Sequence, residues 1–158
     1  TTEPEERDRL LSFVIVGGGP TGVEVAADLA DFVQEDCALL YPKLVDYVKV
    51  RLINVGENLL ATYDREISQK SLEVFMKKGV EVLSTRRVTG ITPNEVQMKR
   101  MDDGAEETLP YGCVVWAAGI KENPLTEQLK GTLIDVGLDG TAGVQNNTRG
   151  VVTDEHLQ

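Results

Sequence analysis

Residues 13–24 read Phe-Val-Ile-Val-Gly-Gly-Gly-Pro-Thr-Gly-Val-Glu, an apolar strand running into a Gly-x-Gly-x-x-Gly turn and then an amphipathic helix. The chemistry suited to that order is the binding of a dinucleotide pyrophosphate. Gly17 is free to take backbone angles that a side chain forbids. Gly19, with Gly18 beside it, lets a pyrophosphate approach the main chain, and Gly22 lets the helix lie close on the strand. Pro20 and Thr21 open the helix. Its unpaired N–H groups and positive dipole end favour a dianion, and Pro20 has no N–H to lose there. No nucleophile and base pair is needed for this.

A glycine triplet also serves ordinary helix packing, so the neighbouring residues carry the choice. Leu11, Phe13, Val14, Ile15 and Val16 read as a buried parallel strand, and Val23, Ala26, Ala27, Ala30 and Val33 follow at helical spacing. That context favours nucleotide binding over a purely structural turn.

The elements needed to position such a site can be followed along the chain. Thr2-Glu3-Pro4-Glu5 has the capping-box form and predicts a short helix leading into the first strand. The helix after the glycine turn is expected to reach about Gln34. A second or broken helix is expected over residues 37–46, with Tyr41-Pro42 barring simple continuation. Val48, Val50, Leu52, Ile53 and Val55 predict the second strand, closed by Gly56-Glu57. Asp64 is the expected N-cap of a helix to Lys78 with Gly79 as its C-cap, and residues 80–83 form the third strand. This βαβαβ order demands a parallel sheet. Residues 88–92, 96–101 and 107–109 are short alternating segments split by Pro93-Asn94 and Asp102-Asp103-Gly104, the signals of an antiparallel meander. Residues 113–117 should re-enter the sheet, and Ala118-Gly119 should end it. A short helix near 125–129 and a mobile loop over 131–150 complete the expectation. The fold class is therefore α/β, a Rossmann-like three-layer domain with a parallel sheet and an antiparallel β-meander. It divides into a linker helix at 1–10, a nucleotide-binding domain at 11–120 and a connection at 121–158.

Composition narrows the function. The 158 residues suit one domain, too small for two full nucleotide-binding lobes, and Thr1 with no initiator methionine suggests an excised or processed piece. A net charge of −10 with 16 basic residues argues against a nucleic-acid partner. No apolar stretch approaches the roughly 20 residues that span a bilayer, and no signal-peptide pattern opens the chain, so the piece is expected to be soluble. Cys37 and Cys113 lie far apart in apolar surroundings, without a C-x-x-C pair or zinc spacing. They read as reduced core residues rather than a redox dithiol or metal site. His156, near a terminus, reads as incidental.

Four segments carry a resemblance: GGGPTGVE at 17–24, DFVQEDCALLYPKL at 31–44, LPYGCVVWAAGI at 109–120, and Asn123-Pro124. Together, over nearly the whole chain, they resemble the type II NADH dehydrogenases. These are single-subunit, rotenone-insensitive, non-proton-pumping NADH:quinone oxidoreductases among the flavoproteins that hold two dinucleotides. The resemblance implies a parent enzyme in which hydride passes from NADH, or NADPH, to FAD and electrons then pass to ubiquinone. It implies a peripheral place for that parent at the mitochondrial inner membrane. The FAD domain, the quinone site and the membrane-binding segments would lie outside this chain, which alone is expected to be inactive. A homodimer of the parent is compatible with this reading.

By the same resemblance, Glu24 lies near the nicotinamide ribose, Ala117, Ala118 and Gly119 let the nicotinamide lie flat at the mouth of the sheet, and Val88 walls the adenine. Equally, Glu24 reads as a solvated helical residue, 117–119 as an ordinary strand-end turn, and Val88 as meander core. The acid that usually binds the adenosine ribose should end the second strand, at the segment Asn54, Val55, Gly56 and Glu57. Here that position is Asn54. Asparagine cannot repel a 2′-phosphate as a carboxylate does, Arg51 or a nearby lysine could assist one, and Glu57 could replace the lost acid. NADH use with measurable NADPH use is the expectation. Other pyridine nucleotide-disulfide-type reductases, an S-adenosylmethionine transferase and a non-catalytic nucleotide-binding module remain as alternatives.

Overall fold

The computed structural model describes residues 3–135 and 151–152. Two compact units are distinguished, residues 1–118 and residues 119–158. Helix α1 (Pro4–Leu10) belongs to the first. Its N-cap is Glu3, with Pro4 at the first helical position and no side-chain cap, which corrects the capping box expected from Thr2.

A four-stranded parallel sheet is the centre of the first unit. Its strands β1 (Ser12–Val16), β2 (Lys49–Ile53), β3 (Val80–Leu83) and β7 (Cys113–Trp116) stand in the order β3-β2-β1-β7. Because successive side chains on a strand point to opposite faces, β1 serves two cores. Ile15 packs with Leu52, Ala26, Ala30 and Phe75 on the helical side. Val14 and Val16 pack with Ile53, Val96 and Met98 on the other. Each of these apolar side chains contributes about 1.5–3 kcal/mol on burial, which is why the run around β1 carries no polar alternation.

Helices α2 (Pro20–Phe32) and α4 (Arg65–Lys77) supply the first layer. The second helix does not stop at Gln34. It passes through a π-turn at Val33–Cys37 into α3 (Ala38–Leu40) and ends at Tyr41, before Pro42. Proline disfavours the helical region for the residue before it, which sets that stop. Asp64 is the N-cap of α4, though without a side-chain cap bond, and Gly79 follows at φ +72°. Val55 lies outside β2, in an exposed loop.

The third layer is the antiparallel meander β4 (Arg86–Ile91), β5 (Glu95–Arg100) and β6 (Glu106–Pro110). Its turns fall where Pro93-Asn94 and Asp102-Asp103-Gly104 stand. Arg100 N–H donates to the Ala105 carbonyl at 2.9 Å, and Gly104 has φ +74°. Three layers, helices, parallel sheet and meander, make the Rossmann-like α/β class expected of the sequence.

Thr85, in the turn between β3 and β4, sits at φ +57°. A β-branched residue there is strained by about 1–2 kcal/mol. Thr85→Asn keeps a polar side chain on a residue type that tolerates this region. It is expected to raise stability by about 1 kcal/mol in urea unfolding. An unchanged or lowered midpoint would show that the threonine hydroxyl, which donates to the Ser84 carbonyl at 2.7 Å, outweighs the strain.

In the second unit, α5 spans Pro124–Asp135, longer than the helical stretch expected around 125–129. Asn123 caps it, its Oδ1 accepting from the Leu125 N–H at 2.9 Å. The expected mobile loop is therefore helical through residue 135, and its remainder, residues 136–150, lies outside the described residues, as does His156. Cys37 is half-buried and Cys113 exposed, both as free thiols. Exposure of Cys113 corrects its reading as core, since β7 is an edge strand of the sheet. Among the described residues no helix is long and apolar enough to cross a membrane, and no cluster of His, Cys, Asp and Glu could hold a metal ion.

Candidate functional site

The carboxyl ends of β1, β2 and β3 meet the segment after β7 at one edge of the parallel sheet, with β1 at the point where the strand order reverses. That crevice is where open α/β sheets bind ligands. Its floor is the glycine turn, whose four glycines stand in four different surroundings.

Gly17 has φ +121°, and a Cβ on it would lie 2.7 Å from the Ala117 carbonyl oxygen. Its N–H donates to the Ile53 carbonyl at 2.8 Å, and the Ala117 N–H donates to the Val16 carbonyl at 2.8 Å, so the turn is stitched between β2 and β7. Gly18 is buried, and a Cβ there would meet Asn54 Cγ and Oδ1 at 2.6 Å and Leu59 Cδ2 at 2.8 Å. A Cβ on Gly22 would stand 1.9 Å from the Gly17 carbonyl oxygen, so only glycine lets α2 start this close to the strand.

Gly19 differs from the other three. Its φ of −80° and ψ of −179° are extended backbone open to any residue, and nothing lies within 4 Å of a Cβ built on it. The fold itself does not require glycine at position 19. Gly19 is the N-cap of α2, no side chain caps this end, and Pro20 occupies the first helical position. Val23 N–H makes the first closing bond, to the Gly19 carbonyl at 3.0 Å. The N–H groups of Thr21 and Gly22 precede that ladder and carry the positive end of the helix dipole. A surface with that character accepts phosphate.

The adenosine side of such a ligand would meet the loop after β2. Asn54 is buried at 8% exposure. Its amide donates to the carbonyls of Gly56 at 3.0 Å and Asn58 at 2.9 Å. The side chain thus closes its own loop. Leu60, at φ +51°, ties that loop to the glycine turn through its N–H to the Gly18 carbonyl at 2.8 Å. The turn after β3 is tied to the same loop. Thr85 N–H donates to the Gly56 carbonyl at 3.1 Å and Arg86 N–H to the Asn54 carbonyl at 3.0 Å.

Val55, Gly56 and Glu57 are exposed on the loop after Asn54. Glu24 is exposed on the second turn of α2. Val88 is half-buried and packs on the core between sheet and meander. Ala117 packs against the helical core and Ala118 against the meander core. Gly119, at φ +73°, is exposed in the second unit. Arg51 is not at this edge. Its guanidinium donates to Glu81 at 2.7 Å and to the Ser12 hydroxyl at 2.9 Å, toward the opposite end of β1, so it does not reach a 2′-phosphate.

The Pro-Tyr-Gly segment at 110–112 holds the scaffold. Tyr111 donates its hydroxyl to the Thr92 carbonyl at 2.6 Å, and its own carbonyl accepts from Arg9 at 2.8 Å. A Cβ on Gly112 would be 2.0 Å from the Leu10 carbonyl oxygen.

Comparison with known proteins agrees with the fold. The pyridine nucleotide-disulphide oxidoreductase family matches residues 2–158. A mitochondrial external alternative NAD(P)H-ubiquinone oxidoreductase B1 from Solanum tuberosum is 40% identical over 98% of this chain and 25% of its own length. The B4 protein from Arabidopsis thaliana is 36% identical over the same shares. The chain spans about a quarter of the length of these curated relatives. NDH2 from Plasmodium falciparum, solved in complex with NADH, is 29% identical with a TM-score of 0.79, over 84% of this chain and 27% of that one. A ferredoxin reductase from Rhodopseudomonas palustris shares the fold, with 21% identity and a TM-score of 0.56 over 76% of this chain and 26% of its own. The chain belongs to the pyridine nucleotide-disulphide oxidoreductase family, and within it stands with the type II NADH dehydrogenases.

Proposed function

We propose that this chain is the NAD(P)H-holding domain of a longer, flavin-dependent NADH:quinone oxidoreductase. The observation that carries the proposal is Gly19, a glycine with ordinary angles and open space where a side chain would stand, at a helix N-terminus by the sheet's switch point. Close approach of an external pyrophosphate supplies the missing reason for glycine there. In that role Gly17, Gly18, Gly19 and Thr21 would cradle the pyrophosphate, and the loop from Asn54 to Glu57 with Val88 would face the adenosine. Ala117, Ala118 and Glu24 would serve the nicotinamide end. A bound reduced nicotinamide supplies the hydride that a flavin accepts on its way to a quinone. These residues would orient and shield that donor, a task that needs no nucleophile. The mitochondrial names of the relatives support a place for the longer protein in that organelle; peripheral attachment to the inner membrane, with FAD and quinone bound outside this chain, belongs to the same proposal, and a homodimer of the longer protein is compatible with it.

Calorimetric titration of the chain with NADH and NADPH at fixed salt tests the reading, and both are expected to bind. A preference for NADH of a hundredfold or more, about 2.7 kcal/mol, would overturn the permissive role given to Asn54. Asn54→Asp tests the same residue from the other side. A carboxylate repels a 2′-phosphate, so NADPH should weaken about tenfold relative to NADH. The carboxylate also cannot donate to the Gly56 and Asn58 carbonyls. Urea unfolding should therefore report a loss of about 1–3 kcal/mol. Equal weakening of both dinucleotides would assign Asn54 to loop structure alone.

A further inference from the structure

The inner face of the meander carries a charged cluster beside the Asn54 loop. Along β4, Arg86 shares the face of Val88. Along β5, Arg100 shares that of Met98, and along β6, Glu107 shares that of Leu109. Val88, Met98 and Leu109 pack on the core between meander and sheet, so the three charged groups look the same way. Glu107 serves both arginines, at 3.3 Å from Arg86 Nε and 3.9 Å from Arg100 Nε. Arg100 is otherwise held by Asp102, at 2.6 and 3.1 Å, and by Asp103, at 3.5 Å. Arg86 has a looser hold, the long bond to Glu107 and a 2.7 Å bond to the Ser84 carbonyl. Its backbone is meanwhile clamped to Asn54, and Thr85 to Gly56.

We propose that Arg86 recognises a phosphate monoester at the adenosine 2′ position, and that Glu107 is a built-in competitor for its guanidinium. The proposal rests on the dinucleotide reading above. It replaces Arg51, which the fold commits elsewhere, with an arginine whose main chain is hydrogen-bonded to the residue that closes β2. A phosphate dianion with three acceptor oxygens outcompetes a single carboxylate for a planar guanidinium. NADPH would therefore draw Arg86 from Glu107, whereas NADH, lacking the monoester, would leave the pair intact. Discrimination between the two dinucleotides then comes from two strand ends: Asn54 fails to repel the phosphate, and Arg86 attracts it.

The test is titration of the 158-residue chain with NADPH, NADH, 2′,5′-ADP and 5′-AMP. Arg86→Met, which keeps the aliphatic stem, is expected to weaken NADPH and 2′,5′-ADP about tenfold and to change NADH and 5′-AMP by less than about twofold. Glu107→Gln is expected to move NADPH the other way, tightening it about threefold by releasing Arg86. Opposite signs from the two partners of one ion pair are not produced by a merely structural pair, whose loss weakens all four ligands together. Parallel weakening of NADH and NADPH in Arg86→Met, an unchanged 2′,5′-ADP affinity, or weaker NADPH binding in Glu107→Gln would overturn the role of Arg86 and leave the dinucleotide reading standing. Binding of neither dinucleotide by the unsubstituted chain would overturn both.

Discussion

Gly22→Ala is expected to destabilise the chain by about 3 kcal/mol, a fall of about 6–12 °C in melting temperature for a domain of this size. The new methyl would stand 1.9 Å from the Gly17 carbonyl oxygen. That neighbour is main chain, fixed on one side by the Gly17 N–H to Ile53 and flanked by the Ala117 N–H to Val16, so it cannot turn aside as a side chain would. The helix must move instead. Ala26 and Ala30, at 0% and 2% exposure, sit in the core one and two turns later, and withdrawing them opens voids that the small side chains cannot fill. Thermal or urea unfolding of the two chains decides it. A loss under about 1 kcal/mol would mean that α2 slides along the strand at little cost.

Three residues earlier the opposite behaviour is expected. Gly19→Val should leave stability within about 1 kcal/mol, because extended backbone suits a β-branched residue and no atom lies within 4 Å of its Cβ. Binding of NADH should nevertheless weaken at least about a hundredfold, since the isopropyl group would fill the space through which the pyrophosphate reaches the N–H groups of the first helical turn. Unfolding and calorimetry on the same sample separate the two effects. Unchanged affinity would place the pyrophosphate elsewhere and remove the main support for the proposed function. Loss of stability comparable to Gly22→Ala would show that Gly19 is also a packing glycine.

Much of this was legible in the sequence, for identifiable reasons. A βαβαβ order leaves no alternative to a parallel sheet, and a strand buried on both faces must be continuously apolar, so β1 announced itself, while β2 and β3, which carry Arg51 and Glu81, were marked by apolar runs bounded by turn and cap residues. Turn chemistry is local, which is why Asp102-Asp103-Gly104 and Pro93-Asn94 marked the meander and Gly79 the end of α4. The π-turn at Val33–Cys37 was not legible, because one extra residue in a helical turn changes no residue type.

What the sequence alone determined is the class of domain and the glycine turn that offers a phosphate site. Strand periodicity and turn preference are properties of neighbouring residues. What the tertiary structure decided is which residue does which work. Four glycines spelled alike are distinguished by the Ala117 carbonyl just after β7, by Asn54 and Leu59, by empty space and by the carbonyl of Gly17. Asn54 proved to be spent on its own loop. Arg51 was removed to the far end of the sheet, while Arg86 was brought to Asn54 across 32 positions of sequence. Those assignments depend on contacts between strands distant along the chain, and no local pattern encodes the register that brings them together.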